Sequence, residues 1–290
     1  MKILVTAGSG LVGTWLRKVS ILDKKNQYYF HSREHGDLTE FSNVEKMISN
    51  CNPDIIIHNA ASLNGALDSD SNKVLNAKFN IQIFSNILNM ISNNQRIVCI
   101  SSYHVFNIEA PFENFNLLNT NQSSVYSRLK TEEMFLAKEY PNVKFILYPH
   151  LFGIYDNYQD QRAHFIANSI KRIYHAKQIG LKNIDFFGSP RQILQFATGE
   201  QAANFVVTIA NNFEQQYYKY ICADIGWATK VLTVFEGICR ILEYDGTIEL
   251  PAKEITSKNM YFRHRDLKLD ILDPDFISSL KTTINGFING

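Results

Sequence analysis

Short apolar runs alternate with longer stretches of helical periodicity through the first half of the chain. Lys2-Ile3-Leu4-Val5-Thr6 reads as a buried strand, and a helical run follows from Thr14 to about Ser20. Gln27–Phe30 reads as the second strand, Val44–Ser49 as a helix and Asp54–His58 as an apolar strand. Between 70 and 92, Val74, Leu75, Phe79, Ile83, Ile87, Leu88, Met90 and Ile91 recur at helical spacing. Arg96–Ile100 is another buried strand, running into Ser101-Ser102. Strands separated by helices at this spacing predict a parallel, doubly wound α/β sheet. Ligands bind beyond the carboxyl ends of such strands, where Ser102 falls.

From about Tyr155 the alternation weakens and the residues become more aromatic and polar, which predicts a smaller mixed lobe. Gln201–Asn211 reads as a helix returning to the first domain, Lys219–Ala223 as one more strand, and Leu232–Leu242 as an amphipathic helix. Pro274–Ile284 closes the chain as a core helix. The expected division is residues 1–154, completed by about 195–223, and a second lobe of 155–194 with 224–290.

Composition narrows the class more than it names it. With 45% hydrophobic and 20% charged residues over 290 positions, the chain can bury a sizeable core. A net charge of +1, with scattered Lys and Arg, gives no reason to expect nucleic acid as a partner. No apolar stretch approaches the ~20 residues of a membrane span, and the N-terminal apolar run is too short for a secretory signal. Cys51, Cys99, Cys222 and Cys239 are far apart and lack metal-ligand spacing, so reduced thiols in a cytoplasmic protein without a metal are expected.

The first strand runs into Ala7-Gly8-Ser9-Gly10-Leu11-Val12-Gly13, and strand, glycine turn and helix together make a dinucleotide site. Gly8 and Gly10 let the backbone approach a pyrophosphate, Gly13 lets the helix pack on the strand, and the helix N-terminus offers free N–H groups. A tight turn without a ligand is the plain alternative. The second strand ends in His31-Ser32-Arg33, where an acid would bind the ribose 2′-hydroxyl of NAD. Arg33 suits a 2′-phosphate instead, so NADP(H) is expected over NAD(H), unless Arg33 is only a solvated surface residue. Asp37, followed by Leu38, falls where an adenine amino group would lie, and Asn59-Ala60-Ala61 forms a small-residue turn beside the cofactor.

Tyr126-Ser127-Arg128-Leu129-Lys130 places a phenol and an ammonium on one helix face. A free phenol titrates near 10, and a nearby cation favours the phenolate and brings that value down. With the Ser102 hydroxyl to hold a substrate oxygen, the trio can move a proton on and off a carbinol or carbonyl.

These pieces, with Ser101-Ser102-Tyr103-His104-Val105-Phe106, resemble the extended short-chain dehydrogenase/reductase family, specifically its nucleotide-sugar branch. Within that branch the chain is most similar to the GDP-L-fucose synthase group, bifunctional 3,5-epimerases and 4-reductases; the dTDP-4-dehydrorhamnose reductases are the second match. Phe152-Gly153, Tyr155-Asp156-Asn157-Tyr158, Ala163-His164-Phe165-Ile166 and Lys171-Arg172 follow the synthase register without a gap. The resemblance implies that His164 is an acid/base for epimerisation and that Arg172 contacts the nucleotide diphosphate. It implies a Rossmann-type fold with a substrate-binding lobe, a nucleotide-sugar substrate, and a homodimer paired through helices at about 70–92 and 124–138. Two positions depart from the pattern. His104 stands where the group has a Cys, its second epimerisation base, and an imidazole can still abstract a proton alpha to a ketone. Leu194 stands where the group has a diphosphate-binding Arg; Arg191 is the expected substitute, and Arg263 a further cation for the diphosphate. A 4-ketoreductase lacking epimerase activity and a catalytically idle NADP-binding regulator remain open at this stage.

Overall fold

Ile55-Ile56-Ile57-His58 is buried at every position, as befits a strand flanked by neighbours on both edges and covered on both faces. It is one of six parallel strands in the computed structural model, which describes residues 1–61, 70–106, 120, 124–159, 163–253, 259–261 and 269–290. Elements are numbered along the chain, which divides into two units, Met1–Tyr148 with Gly199–Ala223, and Pro149–Thr198 with Asp224–Gly290.

In the first unit β1 (Lys2–Val5), β2 (Gln27–Phe30), β3 (Ile55–His58), β4 (Arg96–Ser102), β5 (Val143–Tyr148) and β9 (Tyr220–Cys222) are ordered β2-β1-β3-β4-β5-β9. Every adjacent pair is parallel. Helices α1 (Leu11–Leu22) and α6 (Gly199–Asn211) pack on each other. The helices α2 (Phe41–Cys51), α3 (Asp70–Met90) and α4 (Val125–Leu136) build the other side, where Val44, Ile48, Phe84, Ile87 and Met134 cluster with Leu4, Ile56, Ile97 and Phe145. The doubly wound parallel sheet read from the sequence is therefore present.

The ends of α4 are held from outside the helix. Ser124 caps its N-terminus by accepting from Ser127 N at 3.1 Å, satisfying an amide that has no partner within the helix. At the other end Lys219 Nζ donates to the carbonyls of Ala137, Lys138 and Tyr140 at 2.5, 3.1 and 2.6 Å, a cation placed where the helix dipole is negative.

On α3 the pattern and the packing differ. Val74, Leu75 and Phe79, part of the apolar helical pattern, are exposed, whereas Asn80 and Asn86 are buried. Asn86 is tolerated there because its Nδ2 donates to the carbonyls of Leu38 and Thr39 at 3.0 and 2.9 Å, while its Oδ1 accepts from Gln82.

The second unit holds more regular structure than its composition suggested. β8 (Ile193–Thr198) pairs in parallel with β6 (His150–Phe152) and antiparallel with β10 (Trp227–Lys230), and β7 (Asn183–Asp185) pairs in parallel with β11 (Thr247–Glu249). Helices α5 (Phe165–Gln178), α7 (Val231–Ile241) and α8 (Pro274–Asn289) complete a separate core of Ile170, Ile173, Phe196, Val234, Phe235 and Phe276. Cys51, Cys99 and Cys239 are buried and Cys222 half-buried, all as free thiols. Among the described residues no helix is long and apolar enough to cross a membrane.

Candidate active site

The glycine turn between β1 and α1 is built for close backbone approach. Ala7 sits at φ 52, and a Cβ on Gly13 would lie 2.3 Å from the Ala7 carbonyl oxygen. The α1 N-terminus, capped by Gly10, receives no side-chain cap, so its first amides are left for an anion. Gly8 N donates to the His31 carbonyl at 2.9 Å, tying the turn to the end of β2. Thr6, which the sequence reading passed over, does similar work: its Oγ1 accepts from Asn59 N and Ala60 N at 3.0 and 2.9 Å. Asn59 Nδ2 then reaches the Ala7 carbonyl at 3.2 Å. Gly8, Ser9, Gly10, Leu11, Val12, Gly13, Asn59, Ala60 and Ala61 thus lie together at the carboxyl ends of β1 and β3.

This cradle fits a dinucleotide pyrophosphate, and a side chain at Gly13 would disrupt it. Gly13→Ala is expected to lose about 1–3 kcal/mol by overpacking and to abolish stabilisation by a nicotinamide dinucleotide; thermal unfolding with and without NADPH or NADH measures both.

Arg33 is exposed just past β2, and Asp37 nearby accepts from Thr39 N and Oγ1, each at 2.9 Å. Those hydrogen bonds, then the Arg33 charge, hold the Asp37 carboxyl below the usual carboxylate value. The Leu38 side chain is buried in the core.

Ser102 ends β4 and caps a short turn by accepting from His104 N at 3.3 Å. Its hydroxyl also draws the titration of the Tyr126 phenol down. The His104 and Tyr126 rings meet edge to face, 6.0 Å between centroids. Lys130, one turn after Tyr126, is buried. The structure therefore brings Ser102, His104, Tyr126 and Lys130 together. The titration of Tyr126 differs from the sequence expectation: burial pushes it above the ordinary phenol value, outweighing the downward pull of Lys130 and Ser102.

The sequence reading also missed Glu133. Its carboxylate meets Lys130 Nζ at 2.8 Å, and the two side chains are only 2% and 4% exposed. His58 on β3 is buried nearby, and burial, reinforced by the Lys130 charge, lowers its pKa to about 3, so it is neutral.

In the second unit, His164 precedes α5 and its Nδ1 lies 3.5 Å from Asp156 Oδ1. Asp156 is fixed by the turn after Gly153, donating its own N–H to the Gly153 carbonyl, and its Oδ2 is buried with no hydrogen-bond partner among the described residues. The hydrogen bond to Asp156 raises the His164 pKa against the downward pull of burial. Asp156→Asn is expected to lower it, and a His164 ring titration followed by NMR checks the direction. Arg172, on α5, stacks over Phe187 at 4.2 Å and donates to the Asp185 carbonyl at 2.6 Å. Arg191 is exposed just before β8, and Leu194 is a core residue, 6% exposed, with no cation in its place. Arg263 lies outside the described residues.

Known proteins are similar to the chain over most of its length. The chain is 23% identical over 262 residues to the GDP-L-colitose synthase of Yersinia pseudotuberculosis, covering 85% of this chain and 84% of that protein. It is 22% identical to the probable GDP-L-fucose synthase of Drosophila melanogaster, over 99% of this chain and 96% of the relative. Its fold superposes with a TM-score of 0.80, at 19% identity, on a GDP-L-fucose synthetase from Naegleria fowleri bound to NADP, covering 99% of this chain and 92% of that one. The profile of the NAD dependent epimerase/dehydratase family matches residues 3–222, and the chain belongs to that family.

Proposed function

We propose that the chain is an NADPH-dependent epimerase and 4-ketoreductase acting on a 4-keto nucleotide sugar, with a GDP-linked deoxyhexose as the leading substrate class. The observation that carries this reading is the assembly of Ser102, Tyr126 and Lys130 at the strand ends that hold the glycine turn. The similarity to a GDP-L-colitose synthase and a probable GDP-L-fucose synthase supports the choice of a GDP-sugar.

Gly8 to Gly13 and Asn59 to Ala61 would hold the dinucleotide, and Arg33 would meet a 2′-phosphate, which favours NADPH over NADH. NADPH, when bound, supplies the hydride. Ser102 holds the C4 oxygen of the sugar by a hydrogen bond. Tyr126 donates its proton to that oxygen as negative charge develops on it. Lys130 supplies a fixed positive charge that eases loss of the Tyr126 proton. The C4 ketone acidifies C3 and C5, and His104 and His164 take and return protons there before reduction. Arg172, Arg191 and Arg263 are assigned to the diphosphate. A cytoplasmic setting belongs to the same reading.

The experiment offers NADPH with a panel of 4-keto nucleotide sugars, with parallel samples in D2O lacking cofactor. Deuterium at C3 and C5 before any reduction supports the epimerase-reductase, and NADPH oxidation without exchange leaves a plain reductase. NADPH binding with no turnover of any sugar would sink the enzymatic reading for that panel.

A homodimer is part of the same proposal. Val74, Leu75 and Phe79 on α3, and Phe135 and Leu136 on α4, are exposed on two helices that pack together, which leaves an apolar surface suited to a second copy. Sedimentation should give a dimer for the wild type, and Phe79→Glu should shift it to monomer.

A further inference from the structure

Glu133 has no part in the reaction as described, yet it lies in direct contact with that reaction's lysine. It follows Lys130 by three residues on α4, so the two share a helix face. Its Oε2 and Oε1 accept from Lys130 Nζ at 2.8 and 3.2 Å. Taking two charges out of water is costly even when they pair, and the neighbouring core positions of this helix, Leu129 and Met134, are apolar. A carboxylate at 133 is thus an expensive choice where an aliphatic side chain would pack. Its effect is specific: it holds the Nζ of a side chain with four rotatable bonds, and it sets a negative charge beside the positive one that acts on Tyr126.

We propose that Glu133 is a positioning residue for hydride-transfer chemistry in this chain, fixing Lys130 Nζ and offsetting its charge so that Tyr126 keeps the proton it must donate. The proposal rests on the reading of Tyr126 as proton donor. Reduction of a ketone needs a protonated phenol, whereas oxidation of an alcohol needs a phenolate. A lysine with no counter-charge favours the phenolate; the Lys130–Glu133 pair shifts the balance toward the acid, and hence toward reduction.

The surroundings leave few other sources for such control. Among the described residues the charges that act on Tyr126 are Lys130, which pulls its titration down, and Glu133, which pushes it up, while the titratable group facing its ring is His104, edge to face. On β3, His58 is neutral, and on β4 the Cys99 thiol is pushed well above its usual value by burial and then by Glu133. Lys219, the next cation, acts on Cys99 and is itself drawn down by burial. Burial draws the Lys130 titration down, and Glu133, ahead of Tyr126, is what holds its charged form.

The test is the Tyr126 titration, followed by NMR on full-length protein with isotope-labelled tyrosine and no cofactor, in wild type, Glu133→Gln and Glu133→Asp. The pH profile of NADPH-dependent ketone reduction is measured alongside. Glu133→Gln should move the Tyr126 midpoint, and with it the alkaline limb of the profile, to lower pH. Glu133→Asp, which keeps the charge but draws it back by one methylene, should fall between wild type and Glu133→Gln. A purely structural role would lower the height of the profile without moving its limb. A midpoint that rises or stays fixed in folded Glu133→Gln overturns the proposal; should that variant fail to fold, an unmoved midpoint in Glu133→Asp overturns it. Tyr126→Phe judges the underlying reading separately, because the titration needs no substrate.

Discussion

Tyr126→Phe should lower kcat for NADPH-dependent reduction about 10²–10⁴-fold, the range expected when a positioned proton donor is removed. The phenyl ring keeps the edge-to-face contact with His104, so the fold and NADPH binding should be unchanged. What disappears is the hydroxyl that the proposed function assigns to protonating the C4 oxygen. Solvent exchange at C3 and C5 should survive, since His104 and His164 are assigned to it. Stopped-flow NADPH oxidation and deuterium incorporation, measured on one preparation, separate the two steps. Equal loss of both would mean that Tyr126 serves epimerisation as well.

Lys130→Met should destabilise the protein by about 3–5 kcal/mol, because it strands a buried carboxylate. Glu133 is 2% exposed, and among the described residues it meets no cation besides Lys130. Burial already raises the Glu133 pKa, and Lys130 is what pulls it back. Without the lysine, the folded-state pKa stands further above the unfolded one, so the folded protein binds the extra proton more tightly. The deficit should therefore shrink as pH falls from neutral through the raised pKa toward the ordinary carboxylate range. Urea unfolding at several pH values checks this sign. A deficit independent of pH would mean that Glu133 finds another partner.

Some of this was legible in the sequence because single local causes decide it. Gln27–Phe30 is a strand with the bounds its pattern predicts, and Ile55-Ile56-Ile57 has no polar face to turn outward. The glycine turn was readable for the same reason, since only glycine fits where Gly13 meets the Ala7 carbonyl. What could not be read depends on residues far apart in the chain. Thr6 supports Asn59 across 53 positions, and no local pattern marks it. Helical spacing showed that Val74, Leu75 and Phe79 belong on α3, but periodicity cannot say whether a face has a partner in the same chain. The apolar spacing of α5 was masked by polar and aromatic neighbours. Glu133 looks like an ordinary surface charge until burial and Lys130 make it part of a site, and the motif that holds Asp156 does not reveal its contact with His164. The lowered phenol expected from Lys130 failed because a Tyr-x-x-x-Lys spacing carries no information about burial.

The most direct measurement follows deuterium from C4-deuterated NADPH into a 4-keto GDP-deoxyhexose, for wild type and Tyr126→Phe. Wild type should deliver one deuterium to C4 of the sugar, while Tyr126→Phe binds NADPH and delivers almost none. Deuterium at C4 with undiminished rate in Tyr126→Phe, or none in a wild type that binds both ligands, would contradict the account.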